Sequence, residues 1–575
     1  MKHFFTTGYF LILISVLSCS KDPCNPVYTP SEVYNALNTS GRKVQNPYSL
    51  SIMQAALDSL IATKAIEEVC TEITLEATDY YIRMSSLDTN VVKSLQNMDV
   101  ELFDYPLDYE FDSDSEYYFD PEMPTEDLVW QYTAVPTSSI CTEVEYEDFV
   151  EASECGETVY VDMAVAEQET VSCELLDLCY VPEHDLEAKS SLRKFISADE
   201  LEEMAFKIAG IETESSMPRT KASSCRPSGH VYVNSPNGVL PVKGVKVRAQ
   251  RFIRWSTTYT NDYGYFYISS KYASPNISII YSNTKGFTLW GNWLFLAPAT
   301  YTINRCSSAS SFNKVFYNST FSPWSWAVVN NAAYDYYTAC YSNGVLSGVA
   351  LPPCGMKLWC MNLSWEGIGG GAPMIKHLVA SRILSGVSAI TSLLCSFGLI
   401  PILGTSVVAI LVNIFAPDIL LVTYNKSYKD LYSTTFHELS HASHFVSLGE
   451  WKYGQMIWYE MTHGDKQNFY GIGDTGSNGE RLCELSEAYA YSIENMIRRS
   501  LPGNYVYAGT SSSYFFYKYT SVLTSLISNG ILTPGEIFSC MNSSTIGMEA
   551  LLNNLCVKYP SRSAAIRSEM QNYGL

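Results

Sequence analysis

The stretch TTFHELSHASHF, residues 434–445, limits what this chain can be more than any other feature. It holds three of the chain's eight histidines, and Glu438 directly follows His437. Side chains four residues apart on a helix project from one face, so His437 and His441 can bind the same ion. Glu438 points to the side of that pair, where its carboxylate can contact a water on the ion. The competing interpretation is a polar surface helix that binds no metal.

The helix itself is predicted to begin at Ser433 or Thr434, as an N-cap, and to end at Gly449. His444 shares the histidine face, but it lies about 10 Å along the helix axis from His437, at about 1.5 Å of rise per residue. One ion cannot reach both, so His444 is predicted to lie beside the ligands. A catalytic metal therefore needs a third protein ligand from elsewhere, with one position left open.

Acidic candidates for this third ligand recur at helical spacing in residues 479–499, GERLCELSEAYAYSIENMIRR. Ser486-Glu487 and the following residues up to Tyr491 resemble the N-E-x-x-x-[DY] element of gluzincin metallopeptidases, with Ser in place of Asn. The resemblance implies that Glu487 is the third ligand of a zinc ion and that Glu438 is the general base. Glu484, one helical turn earlier on the same face, is the alternative ligand.

Peptidases of this class also need a donor that stabilises the developing oxyanion, commonly Tyr or His. His463 and Tyr491 are the main candidates, and the sequence does not rank them. The resemblance covers only about 80 residues of the chain.

The N-terminus reads MKHFFTTGYFLILISVLSCSKD, with a basic start and a short apolar run. This is the pattern of a secretory signal peptide, here residues 1–18. Ser18-Cys19 resembles the bacterial lipoprotein box, and the residues that follow resemble lipoprotein starts in Bacteroides-like bacteria. The resemblance implies that Cys19 carries the lipid. The protein is then expected in the cell envelope, anchored in the outer membrane and facing the periplasm or the cell surface.

Charge is distributed unevenly along the 575 residues. Residues 94–188 contain no Lys or Arg but 27 of the 59 acidic residues, which leaves 32 acidic against 37 basic residues elsewhere. An acidic surface repels phosphate backbones, so we expect no nucleic-acid partner. The acidic part lies in an N-terminal region, residues 19–220, that is predicted to contain helices over 51–69 and 197–211 and to end in a linker.

Short alternating strands separated by turn residues follow the linker. Ser228-Gly229-His230-Val231, the segment 241–247 and the turn 260–266 resemble a carboxypeptidase regulatory-like domain. The resemblance implies a small transthyretin-like β-sandwich over residues 225–303. Residues 305–575 are then an α+β zincin-like domain, which makes the whole chain a multidomain protein of mixed class.

Residues 383–417 carry no charge. Gly398, Pro401 and Gly404 divide this run into pieces too short to span a bilayer comfortably, so buried helices and a membrane-associated hairpin both remain open. The apolar run DILLVTY, residues 418–424, is predicted to be a strand just before the histidine helix. We expect it to be an edge strand that pairs with extended substrate.

These features predict a lipid-anchored, zinc-dependent peptidase that acts on protein or peptide substrates. Two alternatives remain open from the sequence. One is a non-catalytic surface binding or adhesion lipoprotein with a degenerate or structural metal site. The other is a metal-dependent hydrolase of substrates other than peptides.

Overall fold

The computed structural model of the protein describes fifteen parts of the chain. They are 41–64, 73–85, 100–112, 114, 130–141, 159–160, 173–185, 196–211, 224–291, 298–318, 322–362, 370–380, 417–463, 477–503 and 517–574. The predicted signal peptide, Cys19 and nearly all of the uncharged run 383–417 lie outside these ranges.

The described residues form a mixed helical and sheet structure. The helices are α1 Leu50–Lys64, α2 Ala198–Ile208, α3 Ser322–Ala339, α4 Ile375–Ala380, α5 Tyr428–Leu448, α6 Glu450–His463, α7 Asn478–Ser500, α8 Tyr517–Ser528, α9 Pro534–Phe538, α10 Met548–Lys558 and α11 Ser563–Asn572. None of the helices in these ranges has the length and apolar character needed to cross a bilayer.

The N-terminal region has a sheet and a core of its own. The strands here are β1 Gly41–Lys43, β2 Asp79–Ser85, β3 Tyr109–Phe111, β4 Trp130–Pro136, β5 Ile140–Cys141, β6 Val159–Tyr160 and β7 Cys173–Cys179. Strand β2 lies between β4 and β7 in an antiparallel sheet, and α1 and α2 pack on each other beside it. The helix predicted over 197–211 is confirmed, with Ser197 as its N-cap in a capping box. The sheet was not predicted, because its strands lie among tyrosines and acidic residues without a clear apolar alternation.

The next strands build two sheets that share one core. They are β8 Ser228–Ser235, β9 Gly238–Pro241, β10 Val245–Arg251, β11 Arg254–Tyr259, β12 Tyr265–Tyr267, β13 Asn276–Asn283, β14 Phe287–Trp290, β15 Thr300–Ile303 and β16 Phe312–Phe316. Strands β9, β12 and β16 all pair with β8, and β10 lies between β11 and β13. Buried Val231 and Val233 of the first sheet belong to the same core as Val247 and Ile279 of the second. Strand β16, which follows the sequence boundary at 303, thus lies beside β8.

The second sheet continues into the C-terminal part of the chain. Its further strands are β17 Met356–Met361, β18 Gly370–Gly371 and β19 Ile419–Val422. Strand β14 pairs parallel with β17, β17 pairs parallel with β19, and β18 pairs antiparallel with β19. The strand predicted within DILLVTY is therefore confirmed, but its expected place at the sheet edge is wrong. All four residues of β19 are buried because the strand has neighbours on both sides and side chains pack on both faces.

Buried ion pairs join the N-terminal region to the hairpin of β10 and β11. Glu101 lies 2.6 Å from Lys246 and 3.0 Å from Arg248. Further pairs with the hairpin are Arg251–Glu110, Arg254–Glu202 and Arg254–Glu183, the last of which is partly exposed, and Arg305, after β15, also pairs with Glu110. Phe252 and Ile253, at the tip of the hairpin, are part of the N-terminal core. The acidic N-terminal region thus contacts the hairpin of β10 and β11 through both ion pairs and apolar side chains.

Candidate metal centre

Helix α5 carries the histidine motif between two well-defined ends. Ser427 is its N-cap, with its hydroxyl accepting a hydrogen bond from the backbone N–H of Asp430. Gly449 follows the last helical residue with a φ of 83°, in the left-handed region that glycine adopts readily. The predicted end is confirmed, whereas the predicted start at Ser433 or Thr434 is wrong. The helix begins two turns earlier because YKDLYS continues its hydrogen bonding from the Ser427 cap.

Helices α3 and α7 pack against α5, and Ser486 and Glu487 of α7 lie against its histidines. The ring of Phe436 meets that of Tyr336 on α3 edge-on, and the Tyr336 hydroxyl lies 2.8 Å from Ser443 Oγ. His437, Glu438 and His441 are all buried. Because these side chains are buried, the interpretation of this segment as a polar surface helix is wrong. Polar side chains are buried only where they have partners.

His437, His441 and Glu487 meet at one point. The two histidine Nε2 atoms are 3.1 Å apart, and each lies 3.4 Å from a carboxylate oxygen of Glu487. Their side chains come from two helices, and the three residues are 6, 5 and 7% exposed. Ligands at about 2.0–2.2 Å around a tetrahedral ion are about 3.3–3.6 Å from one another. The three donors thus fit a single metal ion, and they form the group among the described residues that could hold one.

Glu487 rather than Glu484 lies with the histidines. Helix α7 begins at the N-cap Ser477, and its buried face carries Glu480, Glu484, Glu487 and Glu494. Glu484 lies one turn away from the cluster, where burial and the neighbouring Glu480 raise its pKa to about 7. A carboxyl group with that pKa is a weaker metal ligand at neutral pH, because ligand oxygens bind in the ionised form.

A carboxylate also contacts the far side of His437. Its Nδ1 lies 3.1 Å from Glu494 Oε2, which leaves Nε2 facing Glu487. Arg498 donates to Glu494 at 2.9 Å and to Asp430 at 2.9 Å. Burial opposes the charge of Glu494, but His437 and Arg498 outweigh it and lower the pKa of this carboxyl. A carboxylate in this position can hold the ring of a metal-binding histidine.

A serine contacts the far side of His441. Ser486 Oγ lies 2.7 Å from His441 Nδ1 and 3.0 Å from His444 Nδ1. Burial lowers the pKa of His441 to about 4 and that of His444 to about 3, so both rings are neutral near neutral pH. His444 is thus a neighbour of the ligands, as predicted.

Glu438 lies outside the three-ligand group and faces the sheet. It is buried, and its Oε1 lies against Gly370 of strand β18. Glu438 directly follows His437 on α5 but is not one of the three donors that could hold an ion. The HExxH spacing predicts a role for Glu438 apart from the ligands, and that role stays a prediction.

The two oxyanion candidates differ in what the structure shows of them. The ring of Tyr491 lies edge-on to that of His437, with their centroids 4.4 Å apart. His463 is the last residue of α6, and its side chain lies outside the described part of the chain. Tyr491 is therefore the candidate with a demonstrated place beside the cluster.

Three contributors to the site were not predicted from the sequence: Glu494, the bridging role of Ser486, and Gly370. Glu494 has a recognisable signal, since it lies two helical turns after Glu487 and so shares its face. For Ser486 the sequence indicates only a departure from Asn, and for Gly370 only a glycine-rich turn or substrate cleft.

Comparison of the chain with models of known protein families, with curated proteins and with solved structures found no match.

Proposed function

We propose that the protein is a zinc-dependent peptidase of the gluzincin type, with His437, His441 and Glu487 as ligands and Glu438 as general base. The supporting observation is the convergence of two imidazoles and one carboxylate at 3.1–3.4 Å, with Glu438, the residue after His437, outside this group. Zinc held there would supply a Lewis acid and lower the pKa of a water ligand to about 7.

The protein's own residues would then carry the proton transfers. Glu438 would take the proton of the attacking water and deliver it to the leaving amine of the peptide. Tyr491 or His463 would donate a hydrogen bond to the carbonyl oxygen as negative charge develops on it. Glu494 and Ser486 would hold the two imidazoles with Nε2 directed at the ion.

The surrounding architecture forms part of the same proposal. Residues 305–575 would be the zincin-like domain, residues 225–303 a carboxypeptidase regulatory-like module, and residues 19–220 an acidic region of separate role. After removal of residues 1–18, Cys19 would anchor the chain in the outer membrane, facing the periplasm or the cell surface. Replacement of Cys19 by Ser should move the protein from the membrane fraction to the soluble fraction, and continued sedimentation with membranes would exclude this anchor.

The direct test compares wild type with Glu438→Gln on a peptide library at equal zinc content. We expect wild type to hold about one zinc per chain and to cleave peptides, and Glu438→Gln to keep zinc but lose at least about 100-fold in kcat. Glu484→Gln is the matched control on α7, since Glu484 lies outside the ligand group, and it should keep both zinc and activity.

Other outcomes would support the alternatives. Zinc binding without cleavage of any peptide would favour a binding or adhesion lipoprotein with a structural metal. Cleavage of glycan or ester substrates alone would favour a hydrolase of another class. Full peptide cleavage by Glu438→Gln would refute the proposed mechanism.

A further inference from the structure

Gly370 lies in close contact with the carboxylate of Glu438. It is the first residue of the two-residue strand β18, where it pairs with Leu421 of β19. A Cβ atom on Gly370 would lie 2.8 Å from Glu438 Oε1 and 2.7 Å from the carbonyl oxygen of Leu420. Real Cβ atoms essentially never approach other atoms within 3.0 Å, so any side chain here displaces its surroundings.

The neighbouring Gly371 has no such constraint. It pairs with Leu420, and a Cβ on it would meet no described atom within 4 Å. Neither glycine adopts the positive φ that favours glycine. Position 370 therefore requires glycine because a side chain has no room there, and not because of its backbone conformation. The two adjacent glycines provide a matched pair for mutagenesis.

Displacement at position 370 would be passed to Glu438. The carbonyl of Leu420 is in a strand that is hydrogen-bonded on both sides, so it has little freedom to move. The carboxylate of Glu438 is the end of a flexible side chain, and strand β18 is held to the sheet on the side of β19. An added methyl group must therefore turn the Glu438 side chain, push β18 outward, or both.

We propose that Gly370 is a positioning residue for Glu438: the missing side chain lets the carboxylate lie close to the β18 backbone. This inference rests on the proposed role of Glu438 as general base. The three atoms nearest to such a Cβ belong to Leu420 and Glu438, and none of them belongs to a candidate ligand. Misplacement of a catalytic group by about 1 Å costs about 100-fold in rate, whereas metal binding has no reason to change.

The test uses the full-length, zinc-loaded protein and the variants Gly370→Ala and Gly371→Ala. For each we would measure kcat and KM on a peptide that wild type cleaves, and zinc affinity by competition with a chelator. Gly370→Ala should lower kcat by at least about tenfold, with KM and zinc affinity within about twofold of wild type. Gly371→Ala should leave all three quantities within about twofold.

A second readout does not depend on activity. Tm is measured for wild type, Gly370→Ala, Glu438→Ala and the double variant, all in the zinc-loaded form. Gly370→Ala should lower Tm less in the Glu438→Ala background, because one of its two close contacts is then gone. If Gly370→Ala alone does not fold, folding of the double variant supports the contact, and failure of both overturns the proposal.

The outcomes separate this inference from the proposed function. An active wild type whose kcat is unchanged by Gly370→Ala refutes the positioning role alone. Equal loss of Tm in both backgrounds refutes it as well, as does parallel loss of zinc affinity. A wild type that binds zinc but cleaves no peptide refutes the proposed function, and the positioning role with it.

Discussion

At the scale of single residues, hydrogen bonding determines how each histidine can act. The imidazole of His441 is neutral near neutral pH, and its Nδ1 lies 2.7 Å from Ser486 Oγ. If Nε2 is to bind an ion, Nδ1 must carry the proton and donate a hydrogen bond to Ser486 Oγ. The Ser486 hydroxyl is then free to donate to His444 Nδ1, 3.0 Å away. One serine thus contacts a candidate ligand and a buried neighbour at once.

Ser486→Ala should therefore weaken zinc binding. The expected loss is about tenfold in affinity, the lower end of what partners of metal-binding histidines contribute. Ser492→Ala is the matched control, because Ser492 is on the same helix, is fully buried and donates to Tyr489 O at 2.6 Å, away from the cluster. Chelator competition measures both. Equal affinities of Ser486→Ala and wild type would contradict the orienting role.

At the scale of elements, the sequence specified the parts of the site that obey helical periodicity. The pairing of His437 with His441 depends only on side chains lying on one face of α5, whereas Glu487 on α7 was expected from the resemblance to the gluzincin element, and the structure brings these three together. The role of Gly370 could not be predicted, because it depends on which strand lies next to β19 and not on local pattern. The start of α5 was misplaced for a local reason, since Ser427, Ser433 and Thr434 are all acceptable N-caps.

The contact between the N-terminal region and the hairpin of β10 and β11 should depend on pH. Burial opposes ionisation of Glu101, but Arg248 and Lys246 outweigh it and lower the pKa of this carboxyl. A carboxyl whose pKa is lower in the folded state stabilises the fold above the unfolded value of about 4.3. That contribution disappears as the pH falls through the folded value.

Glu101→Gln should thus destabilise the protein at pH 7 and less at pH 3. We expect a loss of about 3 kcal/mol at pH 7, because the change leaves two largely buried cations without their acid. Asp199→Asn, which removes an exposed pair with Lys271, should cost less than about 1 kcal/mol. Urea unfolding followed by circular dichroism at both pH values measures this. An equal loss at pH 3 and pH 7 would contradict the electrostatic account.

At the scale of the whole molecule, one sheet links the predicted sandwich to the C-terminal part. Strand β14 ends at Trp290 and its parallel partner β17 begins only at Met356, so the two strands are far apart in the sequence. Short-range patterns detect strands but not such long-range pairing. The coarse class of mixed helix and sheet could be predicted, whereas the continuity of the sheet could not.

A fragment of residues 225–303 should accordingly fold poorly by itself. It lacks β16, which pairs with β8 and buries Phe312 and Phe316 in the shared core. It also lacks α3, whose Trp326 contacts Tyr281. A fragment of residues 225–340 contains both and should unfold more cooperatively in a thermal scan followed by circular dichroism. Equal cooperativity of the two fragments would support a domain boundary at 303.

The central claim is that His437, His441 and Glu487 hold one zinc ion. Diffraction data collected on both sides of the zinc absorption edge, from crystals of the full-length protein, test it most directly. The account predicts one anomalous peak at about 2.0–2.2 Å from both Nε2 atoms and from a Glu487 oxygen. A peak at Glu484 instead, or none between the two histidines at full zinc loading, would contradict it.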